Sequence, residues 1–444
     1  MGSLALPIFL PRSPSRPPAT MDIFPATPPR DDASKRLIPV PEARRRILET
    51  VTPLAAELQR TSEAEGRILR RDLPAPLNLP VFDNSAVDGY AVVAADVREA
   101  SPENPALLPV PTRTQAGDAP AGPLRPGTCH RIFTGAPIPD GADAVVMQED
   151  TFPDPERPDW IRVTDAVKPW ENIRFRGEDI RLGALAAASG HPVSFGQVAL
   201  FSALGVNSIE VGRKPVVSLL ATGGELTELD QPLPPGHIYE SNRAFLACLV
   251  RSSGGVPQPA PLVKDVLDRV CDALVDAFAG SDAVVTIGGA SVGEHDLVRP
   301  ALLKLGGEVL FWKVAARPGK PFIFGRLGGK LLFGLPGNPV SAAVSFWLFV
   351  RPALLALQGS ANPGPVAVTA TLGEDFVNRG DRPHFVRVNL KEDGRLYSAG
   401  AQGAHSLTSL AKSGGLVEIP SSQKLTEGTS VSFMPWKNGL GVTQ

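Results

Sequence analysis

From residue 37 onward, apolar side chains recur at the spacing of an α-helix. The recurring positions are Ile47, Leu48, Val51, Leu54, Ala55 and Leu58. This spacing places them on one face of a helix. Pro53 fits if it opens a second helix after Thr52, because proline is tolerated in the first turn of a helix. We therefore expect a helical segment at the head of the fold.

Between about residues 74 and 162 the pattern changes to short apolar runs separated by proline and glycine, such as AVVAAD, CHRIFTG and DAVVMQ. Short runs bounded by turn residues are typical of strands, so this stretch predicts a β-rich module. Gly183 and Gly190 then indicate turns before a helix near residues 196–204.

From Lys214, strand, loop and helix patterns alternate. The segments are PVVSLLATGGEL, SNRAFLACLVRSSGG with a cap at Ser241 or Asn242, DVLDRVCDALVDAFAG, DAVVTIGGASVGEHD and KLLFGLPGNPVSAAVSFWLFV. Such alternation predicts a parallel α/β sheet, whose ligands bind at the carboxyl ends of the strands, where these glycines fall. After about Asn362, the runs AVTATL, HFVRVNL, GLVEIP and SVSFMPW predict a small β-barrel or sandwich.

The composition excludes several classes of function. Lys and Arg number 44 against 46 Asp and Glu, and this balance gives no basis for binding nucleic acid or an anionic membrane. Three scattered cysteines without a CxxC motif (Cys129, Cys248 and Cys271) predict a reducing, cytoplasmic location and buried thiols. We expect no apolar run that approaches the roughly 18 residues of a membrane span.

Residues 1–36 are rich in proline, and Pro7 and Pro11 interrupt their short apolar piece. We expect a disordered leader without a secretory signal, in which Met21 offers an alternative start.

Four loops at predicted strand ends carry polar side chains. They hold Glu225 in TGGE, Ser291 and Asp296 in GGASVGEHD, Lys313, Arg317 and Lys320 in KVAARPGKP, and Asn338 in GLPGNP. Glycine lets backbone N–H groups approach an anion, and basic side chains neutralise its charge. Together the loops predict a phosphate or oxyanion pocket, although each alone is also compatible with a plain turn. RPGKP is not a P-loop, because Pro321 stands where Ser or Thr would bind magnesium.

Glu225 and Asp296 are carboxylates beside these cations. Such a pair fits Mg²⁺, which uses one or two carboxylates together with phosphate oxygens of a substrate. Helix capping is the alternative role for both residues. Another acidic group lies in LPVFDNSAVDGYAV, where Asp83 and Asp88 precede Gly89, and its composition is also that of a turn.

Seven motifs resemble, in order, those of the molybdopterin molybdenumtransferase family, also called the MoeA family and related to the C-terminal domain of gephyrin. The motifs are FDNSAVDGYAV, RIFTGAPIPDGADAVV, IRFRGEDI, ATGGEL, TIGGASVGEHD, KVAARPGKPFIFG and GLPGNPVSA. The resemblance runs from about Leu37 to the C-terminus.

The resemblance implies a multidomain α/β fold. A parallel α/β domain like that of molybdopterin adenylyltransferase is expected at 213–361, an inserted β-rich domain at 56–182, and a C-terminal β-barrel at 362–444. Residues 37–55 and 183–212 are expected to form a discontinuous, mixed helical domain for dimerisation, after the leader at 1–36. The implied homodimer has its active site between the α/β domain of one subunit and the inserted domain of the other.

The resemblance also implies a role in molybdenum cofactor biosynthesis. Proteins of this family insert molybdate into adenylylated molybdopterin and release AMP in a Mg²⁺-dependent step. The residue-by-residue match implies catalytic roles for Asp88, Thr134, Asp179, Glu225, Asp265, Lys313 and Arg317, and metal binding by Glu225 and Asp296. Ser291, Lys320, Asn338, Arg387 and Ser406 are expected to contact the substrate. Molybdopterin adenylyltransferase and apo-molybdoenzymes or their chaperones are the expected transient partners.

Two other functions stay open: a non-catalytic molybdopterin-binding scaffold, since the fold is also used in a synaptic anchoring protein, and a molybdopterin adenylyltransferase. Tungstate is not distinguished from molybdate, because the two oxyanions are nearly identical in size and charge. One departure from the family pattern is TGGE in place of TG[D/N]E, so Gly224 removes a polar side chain beside Glu225.

Overall fold

The structure is a computed structural model that describes residues 37–289 and 296–436. Helix α1 (Val40–Thr50) comes first and buries Val40, Ala43 and Ile47. The predicted second helix is wrong: residues 51–55 are irregular and lead into strand β1 (Ala56–Arg60). This strand pairs antiparallel with residues 208–212, so hydrogen bonding to a distant segment overrides the local helical spacing.

The inserted region is built from short strands. They are β2 (Leu73–Pro74), β3 (Asn84–Ser85), β4 (Gly89–Val92), β5 (Ala106–Pro109), β6 (Thr112–Thr114), β7 (His130–Ile132), β8 (Ala144–Met147), β9 (Thr151–Pro153), β10 (Trp160–Val163), β11 (Ile173–Arg174) and β12 (Leu185–Ala187). A four-stranded sheet has the order β6-β7-β4-β8, and a three-stranded sheet has the order β5-β10-β9. Short 3₁₀ turns lie at Thr61–Glu63, Ala94–Val97 and Gln148–Asp150. The β-rich module predicted from the sequence is confirmed.

Helix α2 (Phe195–Ala203) and strand β13 (Ser208–Gly212) follow, and β13 is the partner of β1. The side chain of Ser194 caps α2 by accepting a hydrogen bond from the amide of Gln197. The predicted division assigned residues 37–55 to the dimerisation domain and residue 56 onward to the inserted domain. In the structure α1 packs into the core of the α/β domain, and β1 lies beside residues 208–212.

The α/β domain begins at β14 (Val216–Ala221) and ends at α7. Its further elements are β15 (Leu226–Thr227), β16 (Ile238–Tyr239), α3 (Asn242–Ser252), β17 (Val256–Pro259), α4 (Leu267–Gly280), β18 (Ala283–Ile287), α5 (Val298–Lys304), β19 (Glu308–Trp312), β20 (Ile323–Leu327), β21 (Lys330–Leu335), α6 (Pro339–Ser345), a π-helical turn (Phe346–Val350) and α7 (Arg351–Leu357). The six-stranded sheet has the order β17-β14-β18-β21-β20-β19. The first four strands are parallel and the last two are antiparallel. Residues of α3, α6 and α7 belong to one hydrophobic core of this domain, and residues of α4 and α5 belong to another.

The segment Pro339–Leu357 corrects the expectation about apolar runs. This continuous helix of 19 residues is long and apolar enough to cross a membrane by composition. Within the fold, 89% of its most apolar window is buried, as in the core helix of a globular domain. The thiol expectation also needs correction, because Cys129 and Cys271 are buried but Cys248 is exposed.

The C-terminal domain contains β22 (Val368–Leu372), β23 (Phe376–Asn378), β24 (His384–Leu390), β25 (Arg395–Ser398), α8 (Leu407–Lys412), β26 (Gly415–Ile419), β27 (Gln423–Leu425) and β28 (Ser430–Pro435). Strands β22, β25, β24, β26 and β28 close into a barrel. The barrel alternative of the prediction is confirmed, and alternating apolar residues such as Val386 and Val388 fill its interior.

Candidate active site

The strand order of the α/β sheet creates a crevice at the carboxyl ends of β14 and β18. From β14 the chain forms β17 on one side, and it then forms β18 on the other side. Ligands of open α/β sheets bind where the connections diverge in this way. A cleft of about 600 Å³ opens at this point. Its lining includes Thr222, Glu225, Asn242, Gly288, Asn338 and His405.

Glycines let the loops that follow the strands meet. Gly288 has a φ of 82°, and a Cβ atom there would lie 2.5 Å from the carbonyl oxygen of Thr222. A Cβ atom at Gly337 would lie 3.8 Å from the Cα atom of Gly288. Three strand ends that are followed by glycines therefore converge on the cleft.

Asp296 lies just before α5, and its Oδ1 atom is buried. Within residues 37–289 and 296–436 this oxygen has no hydrogen-bond partner. Burial raises the pKa of Asp296 to about 6, against the lowering effect of the backbone N–H and charge of Arg299 and the backbone N–H of Val298. A buried carboxylate oxygen without a partner is suited to a cation or a donor from a ligand.

Glu225 and Asp265 lie on the other side of the crevice and are exposed. A Cβ atom at Gly223 would come 2.7 Å from Oε2 of Glu225, so this carboxylate lies over the backbone of its own loop. Oδ2 of Asp265 accepts a hydrogen bond of 3.2 Å from the amide of Gly224. A Cβ atom at Gly224 would meet no described atom within 4 Å, so packing does not demand glycine there.

Three cations lie on the loop between β19 and β20. Arg317 and Lys320 are exposed, and Lys313 is half-buried with its Nζ atom 3.7 Å from the ring centroid of Trp312. None of the three forms an ion pair with another residue in the described part of the chain. Burial lowers the pKa of Lys313, and the nearby charges of Lys320 and Arg299 lower it further. Clustered cations without protein counter-ions attract an anionic ligand.

The barrel closes one end of the cleft. The amide of Val340 in α6 donates a hydrogen bond of 3.1 Å to the carbonyl of Ala404, and His405 and Leu407 line the cleft. Asn338 is exposed in the cleft immediately before α6. Ser406 is half-buried at the start of α8, beside the lining residues His405 and Leu407.

The structure does not bring Arg387 to the cleft. Its side chain is fully buried between β24 and residues 401–409, where Nε donates to Oγ of Ser409 at 2.8 Å and Nη2 donates to the carbonyl of Ala401 at 2.7 Å. Burial lowers the pKa of Arg387 to about 10. Arg387 therefore holds residues 401–409 against β24. Ser291 lies outside the described residues.

A second polar group lies on the inserted domain. Oδ1 of Asp88 accepts hydrogen bonds of 2.8 Å from both the amide and the hydroxyl of Thr134. These bonds lower the pKa of Asp88. Gly89 is required beside it, because a Cβ atom there would lie 1.9 Å from the carbonyl oxygen of Val146. The motif around Asp88 is thus a built polar site and more than a local turn.

Asp179 is exposed on the turn that continues from β11. Its amide donates a hydrogen bond of 3.0 Å to the carbonyl of Leu79, and the neighbouring Arg176 amide donates one of 2.7 Å to Oδ1 of Asp83. These contacts attach Asp179 to the segment that carries Asp88. Within the described residues, no hydrogen bond or ion pair joins Asp88, Thr134 or Asp179 to the cleft of the α/β domain.

Sequence reasoning missed two buried groups in the cleft. Oγ1 of Thr222 and Oδ1 of Asn242 are buried, and neither has a hydrogen-bond partner in the part of the chain that the structure describes. The Nδ2 atom of Asn242 donates to the carbonyl of Gly337 at 2.8 Å. The sequence signal at Asn242 indicated only a helix cap, because its approach to residue 337 depends on the folded sheet.

Fold and site together define a multidomain α/β protein with a polar cleft at the switch point of its sheet, a closed barrel beside the cleft and a second polar site on an inserted domain. Residues 38–205 match the MoeA N-terminal region (domain I and II), residues 218–356 match a probable molybdopterin binding domain, and residues 369–436 match the MoeA C-terminal region (domain IV). This chain belongs to the molybdopterin molybdenumtransferase, or MoeA, family.

Proteins that match most of this chain are named molybdopterin molybdenumtransferases. Molybdopterin molybdenumtransferase 2 of Mycobacterium tuberculosis is 38% identical over 81% of this chain and 89% of its own length. The molybdopterin molybdenumtransferase of Haemophilus influenzae is 34% identical over 91% of this chain and 100% of its own length. The crystal structure of the molybdopterin biosynthesis moeA protein from Pyrococcus horikoshii is 31% identical, with a TM-score of 0.78 over 90% of this chain and 100% of its own. These findings confirm the family, the multidomain fold class and the enzyme class expected from the seven motifs.

Proposed function

We propose that this chain inserts molybdate into adenylylated molybdopterin and releases AMP in a Mg²⁺-dependent step. Family membership supports the coarser statement, that the chain is a transferase of molybdenum cofactor biosynthesis. The observation that carries the finer proposal is that cations and a buried, unpartnered carboxylate oxygen lie together. Arg299 lies between them: its backbone N–H donates to Asp296, and its Cζ atom and the Nζ atom of Lys313 lie 4.7 Å and 3.7 Å from the ring centroid of Trp312.

The cations explain how two anions meet in one cleft. Molybdate and a pyrophosphate-linked pterin repel each other, and Lys313, Arg317 and Lys320 lack protein counter-ions among the described residues. Such fixed charges hold both anions and stabilise negative charge that develops on the phosphoryl group. Lys320, Asn338 and Ser406 are proposed as substrate contacts, and the described backbone at 288–289 supplies the glycine wall of the cleft.

The carboxylates present fit Mg²⁺. The described residues contain no group of three or more acidic, His or Cys side chains that could hold a metal without other ligands. Mg²⁺ does not need one, because it is usually bound by one or two carboxylates plus water and phosphate oxygens. Asp296, with its unpartnered Oδ1, and Glu225 would hold the ion. When bound, Mg²⁺ would polarise the phosphoryl group and lower the pKa of a bound water. Asp265 keeps the Glu225 loop in place through the amide of Gly224.

A homodimer would complete the site. Exposed apolar side chains lie on the elements around β1 and α2, namely Leu58 (74% exposed), Leu185 (58%) and Phe195 (81%). Such residues support a subunit interface. In a dimer the polar site of Asp88, Thr134 and Asp179 would face the α/β cleft of the other subunit.

We further propose a cytoplasmic location and transient contacts with molybdopterin adenylyltransferase and with apo-molybdoenzymes or their chaperones.

An insertion assay tests this proposal directly. Purified protein, adenylylated molybdopterin, Mg²⁺ and molybdate are combined, and AMP release and activation of an apo-molybdoenzyme are followed. Asp296→Asn should lower the rate by about a hundredfold or more, equivalent to about 2.7 kcal/mol, because a neutral amide binds Mg²⁺ poorly. Asp268→Asn is the matched control, since Asp268 is an exposed carboxylate of the same domain that pairs with Lys304.

Three results would contradict parts of the proposal. Full activity of Asp296→Asn would remove the metal role of this residue. Binding of the adenylylated substrate by the wild-type chain without any release of AMP would favour the scaffold. Pyrophosphate release from ATP would instead indicate an adenylyltransferase. Parallel reactions with tungstate decide between the two oxyanions.

A further inference from the structure

Two arginines stand opposite each other on neighbouring strands of the inserted domain. Arg113 of β6 pairs with Arg131 of β7, and Arg131 pairs with Tyr90 of β4. Residues in register on adjacent strands point to the same face of the sheet. Phe133 follows Arg131 by two positions and shares that face. We call Arg113, Arg131, Tyr90 and Phe133 the arginine row.

Aromatic rings hold both guanidinium groups. The Cζ atoms of Arg113 and Arg131 lie 4.7 Å and 4.8 Å from the ring centroid of Phe133, and Cζ of Arg131 also lies 4.8 Å from that of Tyr90. Nη2 of Arg131 donates to Oε1 of Gln148 at 2.6 Å, and Nη1 donates to the carbonyl of Gly89 at 3.3 Å. The arginines are therefore oriented before any ligand arrives.

The two guanidinium groups form a pair of like charges. Like charges directly opposite each other on adjacent strands are destabilising. Neither guanidinium forms an ion pair with a carboxylate of the described residues. The charge of Arg131 acts on Asp88, but Oδ1 of that carboxylate already accepts two hydrogen bonds from Thr134. Glu149 instead accepts from Nε2 of Gln148, at 3.5 Å.

We propose that the arginine row is an oxyanion subsite that binds a tetrahedral anionic group, a phosphate of the substrate or free molybdate, next to Asp88 and Thr134. Two planar guanidinium forks can each donate two hydrogen bonds to such a group. Phe133 directly precedes Thr134, so an anion on the row lies beside the polar site of the inserted domain. The identity of the substrate rests on the proposed function, but the binding of an oxyanion does not.

Arginine-specific labelling tests the subsite without any need for catalysis. The full chain is treated with phenylglyoxal, either alone or with inorganic phosphate or molybdate, each added as a concentration series in 10-fold steps. Modified arginines are then located by mass spectrometry. Arg157 is the internal control, because its guanidinium also lies 4.8 Å from an aromatic ring, that of Trp160, but outside the row. We expect the anion to protect Arg113 and Arg131 and to leave Arg157 unchanged. Equal labelling of all three arginines with and without anion would overturn the proposal.

The protecting anion identifies the source of the oxyanion. If molybdate protects the arginines at a lower concentration than phosphate does, the row binds the metal oxyanion. If phosphate protects at the lower concentration, the row binds a phosphate of the substrate. Either order supports the subsite. If the wild-type chain proves inactive in the insertion assay, the proposed function fails, and the labelling result still decides whether the row binds an oxyanion.

Variants give a second measurement. Arg131→Gln should weaken binding of the protecting anion by about tenfold to a hundredfold, as expected for losing charge-assisted hydrogen bonds. Arg131→Lys keeps the charge but loses the fork and should recover only part of the affinity. Arg157→Gln should bind as the wild type does. In the insertion assay Arg131→Gln should raise KM more than it lowers kcat. Wild-type affinity in Arg131→Gln would contradict the subsite.

Discussion

The pair Asp88–Thr134 shows how two side chains far apart in sequence make one polar site. The carboxylate accepts two hydrogen bonds from a single residue, one from its amide and one from its hydroxyl. Both bonds favour the ionised form, which is why the pKa of Asp88 is lowered. Sequence motifs placed both residues in the site, but only the fold shows that the threonine acts on the aspartate.

Thr134→Val should therefore change the pH dependence of the reaction. The valine keeps the amide bond to Asp88 and removes the hydroxyl donor, so the pKa of Asp88 rises and the carboxylate is protonated at higher pH. We expect the acid limb of the profile of kcat/KM against pH to move to higher pH, with activity near pH 8 affected least. Thr134→Ser retains the hydroxyl and should keep the wild-type limb. An unchanged limb in Thr134→Val would show that ionised Asp88 is not required.

At the scale of elements, β17 protects the open edge of the α/β sheet. The amides of Val256 and Ala260 donate to carbonyls on the β14 side, at Pro215 and Leu219. Backbone N positions alternate along a strand, so those of Pro257 and Pro259 point away from β14, toward the open edge. Proline has no N–H there to donate to another strand. A groove of about 950 Å³ runs beside this edge, between β17 and α4. The prolines disfavour addition of an extended peptide to the strand.

Strand β24 carries a titrating group at the junction of the barrel and the cationic loop. His384 pairs with Ile419 in the barrel and forms a bridge with Arg317. Its side chain is buried, and burial, followed by the charges of Arg317 and Arg387, lowers its pKa to about 4. The fold keeps this histidine neutral, whereas in the unfolded chain it can bind a proton. The free energy of unfolding therefore depends on pH.

We expect this group to weaken the barrel as pH falls from about 6.5 to 4. In this window the unfolded barrel binds a proton that the folded barrel rejects, so stability rises with pH. The contribution is about 2 kcal/mol between pH 7 and pH 5. Hydrogen exchange of the β24 amides in the wild type and in His384→Gln measures the difference. The same loss of protection in both proteins would show that other groups cause the pH dependence.

At the scale of the whole molecule, the candidate site is divided. Asp88, Thr134 and Asp179 lie on the inserted domain, and the cations and Asp296 lie on loops of the α/β domain, with no hydrogen bond or ion pair between the two groups in residues 37–289 and 296–436. The proposed homodimer, with a site completed between two subunits, would account for this division.

Mixing two inactive variants tests the shared site. Asp88→Asn and Asp296→Asn are each expected to be inactive as pure dimers. In a mixed dimer, one of the two clefts receives Asp88 from one subunit and Asp296 from the other, and that cleft is intact. Random exchange should restore up to about a quarter of the wild-type rate, since half the dimers are mixed and each has one working site. No recovery, with mixed dimers shown to form by native mass spectrometry, would place the whole site within one chain.

The sequence by itself determined the features that depend on local chemistry. The alternation from Lys214 predicted the α/β sheet, glycines marked the loops at Thr222, Gly288 and Gly337, and the final apolar runs predicted the barrel strands. These features follow from periodicity and from the conformational freedom of glycine, which neighbouring residues reveal.

The tertiary structure alone decided the features that depend on distant partners. Pairing with β13 made residues 56–60 a strand, and packing of residues 401–409 against β24 buried Arg387. The register of β6 and β7 placed Arg113 opposite Arg131, and folding of the sheet left Oδ1 of Asp296 without a partner among the described residues. Strand pairing and burial join residues that are tens or hundreds of positions apart, and local patterns carry no record of such contacts.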